Sequence, residues 1–332
     1  MAEDKAGLAY IGRGNWGTRL TAAAERGGGS RCVRCFARTE ESRRAFAETF
    51  EALPAAGLDE IWRDASVEGV VISTPHSTHA EMIRQAASAG KHIFVEKPLT
   101  LTVAEGKRAI AAAEGAGVVL QIGHHRRRLG ATRRIREMID AGKLGTLIQL
   151  EAHVFNANRQ KPASGWQSDP KEWPVGGMTG RGVHMVDNFH YLASPVSRVT
   201  AFSKHLLGTT RLDDITAIGL EFERGPLGYI GVSQVLPLSI RTAVFGTEAT
   251  AWSDADGKKL YFQKKEEQAR TDIPVEEGDA LADQMAEFAR CIREGASPET
   301  GPSEGLEAVA VLQAVIESAR RAKVVEVAEF RN

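Results

Sequence analysis

The sequence predicts an α/β fold: a doubly wound parallel sheet over residues 1–123, then a second α/β domain over 124–332 built on a mostly antiparallel sheet. Three observations predict it. Short apolar runs alternate with helical segments up to Gly123. Strand-like runs follow one another after it. A G-x-G-x-x-G loop, Gly12, Gly14 and Gly17, sits between the first apolar run and the first helix.

The elements follow in order. "GLAYIG" is the first strand, and "TRLTAAAERGG" is a helix stopped by glycines. "RCVRCF" and "GVVISTP" are the next strands. The helix "EMIRQAASAG", the strand "KHIFVEKP", the helix "VAEGKRAIAAAEGAG" and the strand "VVLQIG" complete the first domain. After the helix "ATRRIREMIDAGKLG", the runs "TLIQLEAHVF", "RVTAFSKHLL", "ITAIGLEFERGPLGYIGVSQV", "TAVFG" and "KLYFQKK" read as strands, with "ERGPLG" as a turn. Two amphipathic helices close the chain. Leu281, Met285, Phe288 and Ile292 share a face of the first; Leu306, Val309, Leu312 and Ile316 share one of the second, with Ser303 expected as its N-cap.

Composition narrows the function classes. Hydrophobic residues make up 42% of the 332 and charged residues 26%, ordinary for a globular protein. A net charge of −1 gives no field for nucleic acid or an anionic membrane. The start of the chain is acidic, and no stretch nears the ~20 apolar residues of a membrane span. The expectation is a cytoplasmic protein. Cys32 and Cys35 form a C-x-x-C, but their offset of three in a strand puts them on opposite faces, and no second pair completes a zinc site, so no metal is expected.

The glycine loop has the context that a dinucleotide needs. Gly12 permits the tight turn, Gly14 lets backbone approach a pyrophosphate, and Gly17 lets helix and strand pack closely. Arg13, Asn15 and Trp16 complete the loop as candidate cofactor contacts. An acid for the ribose 2′-hydroxyl is expected about 20 residues on. That place is "FART", and the acid is missing. Arg38 and Thr39 offer a cation and a hydroxyl to a 2′-phosphate. NADP(H) is therefore preferred; NAD(H) stays possible if Glu40 or Glu41 reaches the ribose.

Three further stretches are "STPHSTHAE", "VEKPLTLTVAEG" and "GGMTGRGVHMVD". In this order, and with the glycine loop, they resemble the Gfo/Idh/MocA family of glucose–fructose oxidoreductase, inositol dehydrogenase and relatives. The resemblance runs through essentially the whole chain. It implies a Rossmann domain followed by a C-terminal α/β domain with a large, mostly antiparallel open sheet. It also implies hydride transfer between a nicotinamide and a hydroxyl-bearing carbon of a sugar, cyclitol or cyclic diol. Lys97 then corresponds to the lysine beside nicotinamide and substrate hydroxyl, and His184 to the catalytic histidine. Thr74, Pro75, His76, His79 and Glu96 fall in the segments around the nicotinamide ribose. Relatives form homodimers or homotetramers.

The chain departs from the family pattern at Gly180, where many relatives carry an Asp that acts with the histidine. His184 then acts alone, or with Asp187, Lys97 or the histidines at 124 and 125. "GGMTG" looks closer to the diol dehydrogenases of the family. His125, Arg126, Asp187 and Trp166 are candidate substrate contacts; the other arginines between 126 and 136 read as a solvated helix face with one Arg to hold the domain interface. A non-catalytic NADP(H)-binding redox sensor is the alternative, needing neither Lys97 nor His184. A nucleic-acid binder would need a basic domain with interleaved aromatics, which this chain lacks.

Overall fold

The computed structural model describes residues 5–12, 14–157, 165–207 and 210–331, so Arg13 lies outside the described residues. The chain divides into two compact units, one of residues 1–125 with 279–306 and one of 126–278 with 307–332.

The first unit runs β1 (Ala6–Ile11), α1 (Asn15–Gly27), β2 (Ser30–Phe36), α2 (Glu40–Thr49), β3 (Leu53–Pro54), α3 (Leu58–Arg63), β4 (Gly69–Ile72), α4 (His79–Ser88), β5 (His92–Val95), α5 (Val103–Gly115) and β6 (Leu120–Ile122). All pairings are parallel, in the order β3-β2-β1-β4-β5-β6. β1, β4 and the last three residues of β5 are buried throughout, as strands covered on both faces must be. α5 is N-capped by Thr102, whose Oγ1 accepts from the Glu105 N–H at 3.3 Å. The sequence reading assigns no helix or strand between Phe36 and Gly69. α2 escapes it because only Phe46 and Ala47 of its polar "EESRRAFAET" are buried.

β2 corrects the expectation for the cysteines. The register against β1 slips between Cys32 and Arg34, leaving Val33 as an extra residue. The bulge turns the chain over, so Cys32 and Cys35 both pack on one apolar cluster instead of facing apart. Both are free thiols, and burial pushes the Cys35 thiol up to about 11.

The second unit holds α6 (Gly130–Asp140), β7 (Leu147–Phe155), α7 (Val183–Leu192), β8 (Val196–Lys204), β9 (Ile215–Phe222), β10 (Leu227–Ser233), β11 (Ser239–Gly246), β12 (Ala249–Asp254), β13 (Lys259–Lys264) and β14 (Thr271–Ile273). α8 (Ala280–Glu294) follows, then α9 (Pro302–Arg321), β15 (Val325–Glu326) and α10 (Ala328–Arg331). The sheet order is β14-β13-β12-β11-β7-β10-β9-β8-β15, and only β7 with β10 is parallel. β9 alternates between buried and less buried positions throughout, and β7 does so from Gln149 onward, the signature of a sheet packed on one face. On the open face Phe202, Leu227 and Tyr229 are 65%, 57% and 38% exposed.

The expected boundary at 123 put everything after it in the second domain; α8 corrects this. Leu281, Met285 and Phe288 join Leu8, Tyr10, Leu20, Phe46 and Phe94 in one core of the first unit. A Cβ on Gly27 would stand 2.6 Å from the Ala282 carbonyl oxygen, so α1 and α8 touch backbone to backbone. Ser303 is not a cap either: the helix starts at Pro302, and the Gly301 N–H donates to Glu304 Oε2 at 3.0 Å. Ala308 to Leu312 of α9 are all buried, so this helix is a core element rather than an amphipathic one.

Candidate active site

The three glycines of the loop serve different ends. Gly12 has φ +98°, and a Cβ there would stand 2.5 Å from the Ser73 carbonyl oxygen. A Cβ on Gly17 would overlap the Gly12 carbonyl oxygen. The protein's own backbone demands both. A Cβ on Gly14 would meet no described atom within 4 Å. Helix α1 begins beyond it with no side-chain cap and no acidic residue in its first turn. Bare backbone, open space and an uncapped helix start fit the pyrophosphate of a dinucleotide.

At the end of β2, Arg38 is exposed and, among the described residues, has no carboxylate partner. The Thr39 hydroxyl caps α2, accepting from the Ser42 N–H at 3.3 Å. Glu40 pairs with Arg44 at 2.6 Å. Arg43, which no sequence motif singles out, donates to the Ala37 carbonyl at 2.9 Å and adds a second cation here.

The segments after β4 and β5 are tied by His79. Its ring is fully buried, with Nδ1 2.9 Å from the Pro98 carbonyl and Nε2 3.2 Å from that of Thr74. The Thr78 hydroxyl donates to the Pro75 carbonyl at 2.6 Å, and the His76 ring lies 5.8 Å from that of His79. Lys97 is 6% exposed. Its ammonium stands 3.6 Å from Glu96 Oε2 and 5.5 Å from the ring centroid of Trp16, which also meets His125 at 5.7 Å. Burial holds the Glu96 carboxyl above its usual range against the pull of Lys97. Room for that carboxyl comes from Gly123, where a Cβ would stand 2.7 Å from Glu96 Oε1.

In the second unit a π turn at Met178–Gly182 leads into α7. His184 is 4% exposed. Asp187 takes both oxygens to Arg127, at 2.8 and 2.7 Å, in a buried bidentate pair. The expected solvated face does not hold for Arg127, Arg133 or Arg136. Arg133 instead donates to the Tyr191 hydroxyl at 2.8 Å, and Arg136 to the Tyr191 carbonyl at 2.9 Å, where cations suit the helix end. The basic run thus fastens α7. Arg126 pairs with Asp256, and Arg181 is held below the usual guanidinium range by burial and by Arg126. Trp166 stacks on Trp173 at 5.9 Å. Trp173 in turn fills the space over Gly180. The sequence carried one faint sign of that, a bulky ring just before a run of glycines.

A parallel sheet in this order, carrying a glycine loop with room before a helix start, defines a dinucleotide-binding Rossmann protein. Residues 7–124 match the oxidoreductase family with an NAD-binding Rossmann fold, GFO/IDH/MocA, and residues 132–252 match the GFO/IDH/MocA C-terminal domain. The chain belongs to this family of oxidoreductases. It is 30% identical to the scyllo-inositol 2-dehydrogenase (NAD(+)) of Bacillus subtilis (strain 168), over 72% of this chain and 71% of that protein. It is 34% identical to an oxidoreductase of Schizosaccharomyces pombe over 43% of this chain, and spans 39% of that protein's length. A solved structure from Desulfitobacterium hafniense, named as an NADPH-dependent oxidoreductase, superposes with a TM-score of 0.93 at 30% identity over 99% of both chains. Among the described residues no helix is long and apolar enough to cross a membrane.

Proposed function

We propose that the protein is a nicotinamide-dependent dehydrogenase or reductase acting on the CH–OH carbon of a small cyclic hydroxylated molecule, a sugar, cyclitol or cyclic diol. The observation that carries this is Lys97, a cation shut in at 6% exposure at the carboxyl end of β5, beside Trp16 of the glycine loop. Ligands of such sheets bind at that edge. The nicotinamide, when bound, supplies or accepts the hydride. Lys97 donates a hydrogen bond to the substrate oxygen and steadies the charge that gathers there. His184 takes the hydroxyl proton, and an imidazole titrates where that exchange is cheap at neutral pH. His79 sets the backbone around Lys97, and the Arg127 pair with Asp187 sets α7.

NADP(H) is the preferred cofactor. Arg38 is exposed and, among the described residues, pairs with no carboxylate, while Glu40 is engaged by Arg44. The names of the relatives carry both NAD and NADPH, so the end of β2 decides. The free thiols suit a reducing, cytoplasmic setting. The apolar open sheet face suits a homodimer or homotetramer.

A fluorescence titration with NADPH and NADH tests the cofactor reading. Tighter NADPH binding is expected, with Arg38→Asp reversing the preference. Tighter NADH binding would overturn it. Binding of neither would remove the oxidoreductase reading altogether.

A further inference from the structure

Gly180 lies one turn before His184, inside the π turn that interrupts the helical repeat. Such turns gather at functional sites. A Cβ on Gly180 would overlap Cζ3 and Cη2 of Trp173 and stand 3.1 Å from Cε3. The six-membered edge of the indole therefore occupies the place of a side chain at 180. Trp166 stacks behind it, the two rings inclined by 26°. Both tryptophans are only partly buried.

We propose that Trp173, seated over Gly180 and backed by Trp166, is the specificity-determining residue of the substrate site. It is an aromatic wall one turn from His184 that takes the C–H face of a ring-shaped alcohol. This rests on the reading of His184 as proton acceptor. A polar side chain at 180 would reward a hydroxyl on that side of the substrate. An indole rewards C–H, because its π face attracts the weakly positive hydrogens and its area is apolar. A hydroxyl turned toward it gives up water and gains no partner. The substrate class is thus a ring hydroxylated on one edge and apolar on the other, in preference to a ring hydroxylated all round. Glycine at 180 is part of the same device, since any larger residue pushes the indole away.

The test compares two probes of equal ring size, cyclohexane-1,2-diol and myo-inositol, with the natural protein, Trp173→Ala, Trp173→Phe and Gly180→Ala. The natural protein is expected to favour the diol by about tenfold or more in kcat/KM. Trp173→Ala should remove most of that preference through the KM of the diol, and Trp173→Phe should keep most of it. Gly180→Ala should imitate Trp173→Ala, and the double variant should be no worse than either alone. A preference for inositol in the natural protein overturns the proposal. So does a diol-to-inositol ratio that stays within about twofold in Trp173→Ala and Gly180→Ala while their melting temperatures fall, since that is a purely structural role. If neither probe turns over although NADPH binds, the reading of His184 fails first. The wall is then tested alone by saturation-transfer NMR on the diol: ring C–H signals lost in Trp173→Ala support it, and signals unchanged overturn it.

Discussion

Two glycine runs open helices in this protein, and they are bare for opposite reasons. In Gly12–Gly17, one glycine faces empty space and the other two are pinned by backbone. In the run from Gly176 to Gly182, every glycine is filled by the protein itself. A Cβ on Gly176 would overlap the Asp213 carbonyl, one on Gly177 would stand 2.9 Å from Gln234 Nε2, one on Gly180 would enter Trp173, and one on Gly182 would stand 2.9 Å from Val232 Cγ2. The first run keeps a place for a ligand. The second shapes a wall. A glycine motif alone cannot say which; the atoms opposite each missing Cβ can.

That contrast can be broken by substitution. The largest effects belong to glycines held by backbone. Gly17→Ala and Gly176→Ala, the latter at φ +57°, should each cost about 3 kcal/mol or more, read as a large fall in denaturant midpoint. Retention of full stability in either would mean that the loop relaxes freely. Asp187→Asn leaves the buried Arg127 cation without its anion and should cost about 3 kcal/mol, far above any surface pair. Gly14→Ala is the sharpest case. Its melting temperature should match the natural protein while NADPH affinity falls about tenfold or more, and a variant that binds NADPH normally would sink the reading of that open space.

The smallest effect concerns pH. Burial raises the Glu96 carboxyl above its ordinary 4.5 in the fold. A raised group favours the folded state only while protonated, and that advantage drains away as pH climbs past the unfolded value. Glu96→Gln does not ionise. Its melting temperature should therefore gain on that of the natural protein as pH rises above about 4.5. A variant that holds level with the natural protein, or loses ground to it, as pH rises would show that Lys97 offsets or outweighs burial.

What the sequence displayed was whatever local pattern writes. The glycine spacing, the apolar runs of β1, β4 and β5 and the alternation of β7 and β9 are all local. What it hid depends on distant partners. Six arginines fall between 126 and 136, and no neighbour in the chain marks Arg127 as the one buried against Asp187. The slip at Val33 is set by the facing strand β1, so alternation put Cys32 and Cys35 on the wrong faces. Ser303 satisfied the composition of a cap, but Pro302 was free to begin the helix, having no N–H to satisfy. The amphipathic stripe of α8 said that it would be buried, not that it would be buried among residues of the first strands of the chain.

That return of α8 bears on how the protein is made. The core around Phe94 lacks Leu281, Met285 and Phe288 until most of the chain has left the ribosome. A nascent dinucleotide-binding unit waits with an apolar flank uncovered while some 150 residues of another unit are translated. Its completion is a late event in synthesis although its strands come first, and a gene fragment ending near residue 125 would encode a sheet without its last wall.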